Sequence, residues 1–96
     1  MLEKTVEDAL VAGVKSHKPA FTMKGERLGK GWPDRIVFAR RGRIAFIELK
    51  RPDVGPKGLR TRQKVIGGIL RLLGFDVYVL WTKEQVKEWL IEFFGD

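Results

Sequence analysis

Two short apolar segments joined by a basic turn constrain the fold of this chain more than any other feature. Residues 35–39 (RIVFA) and 44–50 (IAFIELK) are rich in the β-branched and aromatic side chains that favour strands. A three-residue loop built from a type I turn and a bulge takes glycine at its last, left-handed position, and Gly42 stands there. This loop pairs Ala39 with Arg43, so the sequence predicts a β-hairpin.

The register of this hairpin brings two carboxylates together. Counted outward from Ala39 and Arg43, Asp34 lies opposite Glu48, and residues directly opposite on one face have Cβ atoms roughly 4.5–5.5 Å apart. A two-residue loop would instead place Asp34 opposite Leu49, with its carboxylate on the wrong face. The turn type therefore decides whether the two carboxylates meet.

The second strand is predicted to be buried on both faces, because Ile44 and Phe46 alternate with apolar neighbours. Glu48 and Lys50 end this apolar strand with two charges. Adjacent carboxylates in a partly desolvated place repel unless a proton or a cation joins them, and a divalent metal satisfies both. Carboxylates and a backbone carbonyl are hard oxygen ligands that suit Mg²⁺ or Mn²⁺. An ion pair between Glu48 and Lys50 at a strand end is the structural alternative.

These motif residues resemble those of a known nuclease superfamily. Asp34 and the tripeptide ELK at 48–50 resemble the PD-(D/E)xK nuclease signature. The fuller pattern of GWPDRIV at 31–37, IELKRP at 47–52 and then Gln63 resembles the VRR-NUC branch, over nearly the whole chain. The resemblance implies a restriction-endonuclease-like core and a metal-dependent phosphodiesterase. For small stand-alone members it also implies a homodimer that acts on branched DNA such as four-way (Holliday) junctions.

A first helix is predicted over residues 2–15, with an apolar stripe at every fourth position from Leu2 to Val14. Glu7 lies on the shoulder of this stripe, where it can point toward the polar end of the sheet and add a third carboxylate. The resemblance likewise matches Glu7 to a helix glutamate that helps to bind metal. An ordinary acid near a helix N-terminus, favoured by the macrodipole, is the alternative.

A second helix is predicted over residues 59–73, with Gly74 as its left-handed cap. Gln63 falls on the inner face in the first turn, where an amide can orient a water or a ligand, and the resemblance points to the same residue. Close approach to the sheet or to a second subunit would explain Gly67 and Gly68. The predicted inner stripe is Ile66, Ile69, Leu70 and Leu73.

The remaining elements complete a single domain over residues 1–96. A strand, helix, strand connection normally gives parallel neighbours, so the chain is predicted to be a three-layer α/β domain with a mixed sheet. The other predicted elements are a strand at 20–24, a mobile glycine-rich loop at 25–31 that could close over substrate or simply connect, a strand at 76–81, and a last helix capped by Thr82.

Composition narrows the classes of function. The absence of cysteine excludes disulfides and thiolate zinc sites, and the single histidine, His17, is expected on the surface after the first helix. No apolar run approaches the length that spans a bilayer, so a cytoplasmic setting is expected, without a membrane or small-molecule cofactor.

The formal net charge is +7, from 19 Lys plus Arg against 12 Asp plus Glu, which favours a polyanionic partner. Many basic residues lie at the hairpin tip and just after the ELK tripeptide, so we expect phosphate contacts there. A solvated charged face is the alternative. The candidate nucleic-acid-binding residues are Arg40, Arg41, Arg51, Lys57, Arg60, Arg62 and Lys64.

The sequence therefore leads to the hypothesis of an Mg²⁺- or Mn²⁺-dependent endodeoxyribonuclease acting on branched DNA as a homodimer. The rival hypotheses are a non-catalytic basic nucleic-acid-binding module and a small subunit that recruits a larger enzyme. The candidate metal ligands are Glu7, Asp34, Glu48 and the carbonyl of Leu49. The candidate catalytic residues are Asp34, Glu48, Lys50 and Gln63.

Overall fold

The computed structural model describes residues 3–95, and Leu2 of the predicted first helix lies outside this range. The elements follow the predicted order. They are α1 (Glu3–Lys15), β1 (Phe21–Lys24), β2 (Arg35–Ala39), β3 (Arg43–Leu49), α2 (Thr61–Leu72), β4 (Asp76–Leu80) and α3 (Lys83–Phe94). Short 3₁₀ turns lie at Gly25–Leu28, Arg40–Gly42 and Gly55–Gly58.

The four strands form one mixed sheet in the order β1-β2-β3-β4, antiparallel except for the parallel pair β3 and β4. Alternate residues of β3 face opposite layers. Ala45, Ile47 and Leu49 are buried in a cluster with α1 and α3, whereas Phe46 packs with Leu70 of α2. Burying each large apolar side chain contributes about 1.5–3 kcal/mol. The predicted three-layer α/β fold is confirmed.

The hairpin has the predicted register but a different turn. Ala39 pairs with Arg43 and Arg35 with Ile47, as expected for a three-residue loop. Gly42 is left-handed at φ 71°, but Arg41 is left-handed as well, at φ 65° and ψ 27°, so this is not a type I turn. Two successive left-handed residues match the right-handed twist of the strands better than a type I turn does.

The glycine-rich segment predicted as a mobile loop begins with a 3₁₀ turn attached to the sheet. The Gly25 N–H donates to the Asp34 carbonyl at 2.9 Å, and a Cβ at Gly25 would lie 1.7 Å from the Pro33 carbonyl oxygen. Glycine is therefore required by this close backbone approach. The turn holds the chain directly beside Asp34.

The predicted inner stripe of α2 is only partly right. Leu70 is buried and Ile66 half-buried, but Ile69 and Leu73 are 51% and 69% exposed. Only a narrow row of α2 residues faces the sheet, and Gly67 belongs to this row. Some apolar residues of the helix therefore remain exposed. A Cβ at Gly67 would lie 3.8 Å from Val77, whereas the corresponding space at Gly68 is open.

The predictions for α1 and α3 are confirmed. Val6, Leu10 and Val14 of α1 are fully buried against the sheet and α3. The Thr82 hydroxyl accepts a hydrogen bond from the Gln85 N–H at 3.1 Å, which caps α3 as expected. Within residues 3–95, no helix combines the length and apolar character that crossing a bilayer requires.

Candidate active centre at the open end of the hairpin

Asp34 lies immediately before β2, at the end of the hairpin away from its turn. Continuing the observed register by one step places Asp34 opposite Glu48, as the sequence predicted. The Asp34 Oδ2 accepts a hydrogen bond from the Leu49 N–H at 2.7 Å, which holds the carboxylate beside the end of β3.

The backbone carbonyl of Leu49 lies where the strand pairing ends. The N–H and C=O of one strand residue point to the same side, so this carbonyl is directed toward Asp34 like the Leu49 N–H. The register places Pro33 opposite Leu49, and proline has no N–H to donate. The ladder therefore supplies no donor for the Leu49 carbonyl, which suits it to bind a ligand.

Glu48 is only 3% exposed, so its carboxylate is held in a largely water-free place. It lies on the α2 side of the sheet, and the Gln63 Nε2 donates to its Oε1 at 3.3 Å. A buried carboxylate needs such hydrogen bonds to offset its lost hydration. The first turn of α2 therefore provides a hydrogen-bond donor to the Glu48 carboxylate.

Gln63 connects three parts of the centre. Its Oε1 accepts hydrogen bonds from the Arg60 N–H at 2.8 Å and from the Lys50 Nζ at 3.1 Å, while its Nε2 reaches Glu48. The first of these bonds satisfies a backbone donor that has no partner within the helix. Gln63 therefore fixes the start of α2 relative to the end of β3, and it holds Lys50 near Glu48.

Glu7 reaches the same end of the sheet but has a different partner. Its Oε2 accepts a hydrogen bond from the Arg35 Nε at 2.9 Å, and both side chains are half-buried. Glu7 also lines a cavity of about 240 Å³ together with Asp34 and Gln63. The sequence reasoning missed Arg35, although strict alternation after Asp34 directs its side chain toward α1.

The donor set of the centre suits a hard divalent ion with few protein ligands. Asp34, Glu48 and the Leu49 carbonyl offer oxygen donors of the kind that Mg²⁺ and Mn²⁺ prefer. Within residues 3–95, no group of three or more His, Cys, Asp or Glu side chains is arranged to hold a metal ion. Glu7, the third carboxylate of the predicted set, is paired with Arg35 instead.

The predicted nucleic-acid-binding residues are all exposed, but they fall into two groups. Arg40 and Arg41 lie in the hairpin turn, at the opposite end of β2 and β3 from Asp34. The length of β2 and β3 separates this turn from the carboxylates at the open end. The group beyond β3 is Arg51, Lys57, Arg60, Arg62 and Lys64.

No protein-family model matches this chain, and no curated protein is a significant match to it. The resemblance to VRR-NUC nucleases therefore rests on the motif residues themselves.

Proposed function

We propose that this protein is a metal-dependent nuclease that hydrolyses phosphodiester bonds in DNA, with branched DNA such as four-way junctions as its substrate. One observation carries the proposal. The register brings Asp34 and the buried Glu48 to adjacent positions, beside a lysine that is held by Gln63. The VRR-NUC resemblance of the same residues supports it.

Asp34, Glu48 and the Leu49 carbonyl would hold the Mg²⁺ or Mn²⁺ ion. When bound, such an ion lowers the pKa of a coordinated water and offsets the negative charge that builds on the phosphate. Lys50 donates to a phosphate oxygen or to the attacking water, since its ammonium group lies at the same end of the sheet. Gln63 is a positioning residue, because it holds Lys50 through its Oε1 and Glu48 through its Nε2.

The basic residues beyond β3 would bind the phosphate backbone next to the scissile bond. Such contacts position a nucleic acid without reading its sequence. The Arg51 Nη2 lies 2.8 Å from the Asp53 Oδ2, so this exposed ion pair breaks when Arg51 binds a phosphate. Because phosphate contacts release counterions from DNA, binding would weaken steeply as the salt concentration rises.

A homodimer fits a four-way junction, because both have two-fold symmetry. The outward face of α2 presents Ile69, Leu72 and Leu73, and Leu72 is 89% exposed. This apolar face gives a second copy of the chain a surface to bury. Sedimentation of a single 11 kDa species at micromolar protein would contradict the dimer.

The experiment uses labelled duplex, single-stranded, flap and four-way-junction DNA with Mg²⁺, Mn²⁺ or EDTA. Wild-type protein is compared with Glu48→Gln, which keeps the side-chain shape but removes the charge. Glu84→Gln is the matched control, because Glu84 is an exposed acid at the start of α3. Metal-dependent cutting that Glu48→Gln loses and Glu84→Gln retains is the expected result. Cutting that survives in Glu48→Gln would refute the assignment.

A non-catalytic nucleic-acid-binding module is the second candidate. The pairing of Glu7 with Arg35 favours it, because one of the three expected carboxylates already has a structural partner. This candidate predicts salt-sensitive binding that EDTA does not change, with every DNA strand left intact. The cleavage experiment therefore separates the two functions directly.

A further inference from the structure

A second cavity, of about 570 Å³, lies at the end of the sheet opposite the candidate centre. The hairpin turn, the segment after α1 and the end of α3 form its walls. Basic side chains dominate its lining, and no carboxylate belongs to it within residues 3–95. The lining residues with a basic or aromatic side chain are His17, Lys18, Arg40, Arg41, Arg43 and Phe94.

No carboxylate of the described residues forms an ion pair with the cationic side chains of this cavity. Within residues 3–95, Lys18, Arg40 and Arg41 form no ion pair with an acid. Arg43 packs against α3, where its guanidinium group donates to the Phe93 carbonyl. The Arg43 Cζ lies 4.1 Å from the centroid of the Phe93 ring. Four like charges around one concavity create a strong positive potential, which an anion would relieve.

The backbone of the turn also places a basic side chain at the cavity. Arg41 adopts a left-handed conformation that glycine adopts far more easily. Unfavourable backbone conformations of this kind cluster at ligand-binding sites. Here the conformation presents an arginine to the cavity.

An aromatic pair adds a rigid wall beside the cations. The rings of His17 and Phe94 stack with centroids 4.1 Å apart and an angle of 2° between their planes. His17 is exposed, whereas Phe94 is half-buried and supports it. The Phe94 ring therefore holds the His17 ring in place at the wall of the cavity.

Strand β2 connects this cavity to the candidate centre. Asp34 of the centre lies just before β2, and Arg40, which lines the second cavity, lies just after it. Six residue steps of a strand span about 20 Å. That length corresponds to about six steps of a duplex, given the spacing of roughly 3.4 Å between phosphates along one strand.

We propose that this cavity is a second phosphate-binding site, which holds the backbone of a DNA duplex about six base pairs from the bond at the candidate centre. The inference rests on the proposed function, because it takes the same DNA as the ligand. A concave site favours a nucleic-acid backbone over a lipid surface, which is flat. The second site lengthens the footprint of the protein on DNA beyond the residues next to the carboxylates.

The test measures binding to a 20-base-pair duplex at several salt concentrations in EDTA, by fluorescence anisotropy. Lys18→Ala/Arg40→Ala is compared with Lys83→Ala/Lys87→Ala, which removes the same charge from exposed positions on α3. Each lost phosphate contact lowers the salt slope by about 0.9. We expect the first variant to lose about 1.8 from the slope and at least about tenfold in affinity at 0.1 M salt. The α3 variant should keep the wild-type slope, and equal slopes for the two variants would overturn the proposal.

A second measurement uses amide NMR spectra of the otherwise unaltered Glu48→Gln protein with the same duplex. Shifts at residues 17–18 and 40–43 are expected, and their absence would overturn the second site even if a variant failed to fold. Binding to phosphatidylserine vesicles that depends on Lys18 and Arg40, with no change in the DNA slope, would also overturn it. Altered DNA slopes in a protein that cuts no DNA would support this site and refute only the proposed nuclease.

Discussion

Replacing Gln63 with alanine tests whether the first turn of α2 and the candidate centre are one unit. The substitution removes two hydrogen bonds accepted by Oε1, from the Arg60 N–H and the Lys50 Nζ. It also removes the donor that Nε2 supplies to Glu48. The start of a helix and a buried carboxylate therefore lose a partner at the same time.

The expected cost follows from the kind of each bond. Losing a cap at a helix N-terminus costs about 1 kcal/mol. A hydrogen bond to a charged group contributes roughly 1.5–3 kcal/mol, and the 3.3 Å distance to Glu48 argues for the lower end. We expect the free energy of unfolding to fall by about 2–3 kcal/mol. For a domain of this size, that lowers the Tm by about 8–24 °C.

Urea unfolding followed by circular dichroism measures this cost, and Gln85→Ala is the matched control. Gln85 occupies the equivalent position of α3, where its Oε1 accepts from the Trp81 and Thr82 N–H groups. No contact to a buried carboxylate is lost there, so we expect a cost of about 1 kcal/mol. Equal costs for Gln63→Ala and Gln85→Ala would refute the coupling between Gln63 and Glu48.

Three further predictions address chemistry, backbone strain and pH. Lys50→Ala should abolish cleavage of junction DNA while leaving its binding affinity in EDTA nearly unchanged; retained cleavage would remove Lys50 from the mechanism. Arg41→Gly should raise the free energy of unfolding by about 1 kcal/mol in urea titrations, because it relieves a left-handed conformation, and it should also weaken DNA binding. Burial, and then the charge of Asp76, raise the pKa of Tyr78. Folding therefore favours the protonated phenol of Tyr78. The stability that this phenol contributes is fully present below the ordinary tyrosine pKa, and it is lost as the pH rises through the raised pKa of the folded protein. Thermal unfolding from pH 9 to 11 should show a smaller alkaline loss in Tyr78→Phe than in the wild type, and equal losses would contradict this.

The hairpin register was predictable because it depends on the number of residues in the loop. Three residues between Ala39 and Arg43 set the pairing, and the left-handed backbone of Arg41 changes the shape of the turn without changing that count. The position of Asp34 relative to Glu48 followed from the same count. Local sequence is sufficient wherever chain connectivity alone determines which residues meet.

Features that depend on distant packing were harder to predict. Ile69 and Leu73 have the helical spacing of buried residues, but the area of sheet available to α2 is set by other elements. The partner of Glu7 is also set by packing, since Arg35 meets it only because α1 lies on that face. The alternation of side chains after Asp34 was the one local signal that could have identified the Glu7 partner.

The proline at the open end of the hairpin has a consequence for how far the sheet can extend. With any other residue at position 33, an N–H could pair with the Leu49 carbonyl and lengthen the antiparallel ladder past the carboxylates. Pro33 ends the ladder because it has no N–H to donate, so the two strands separate where Asp34 and Glu48 lie opposite each other. The boundary between the paired strands and the candidate centre is thus determined by a residue that contributes no functional group of its own.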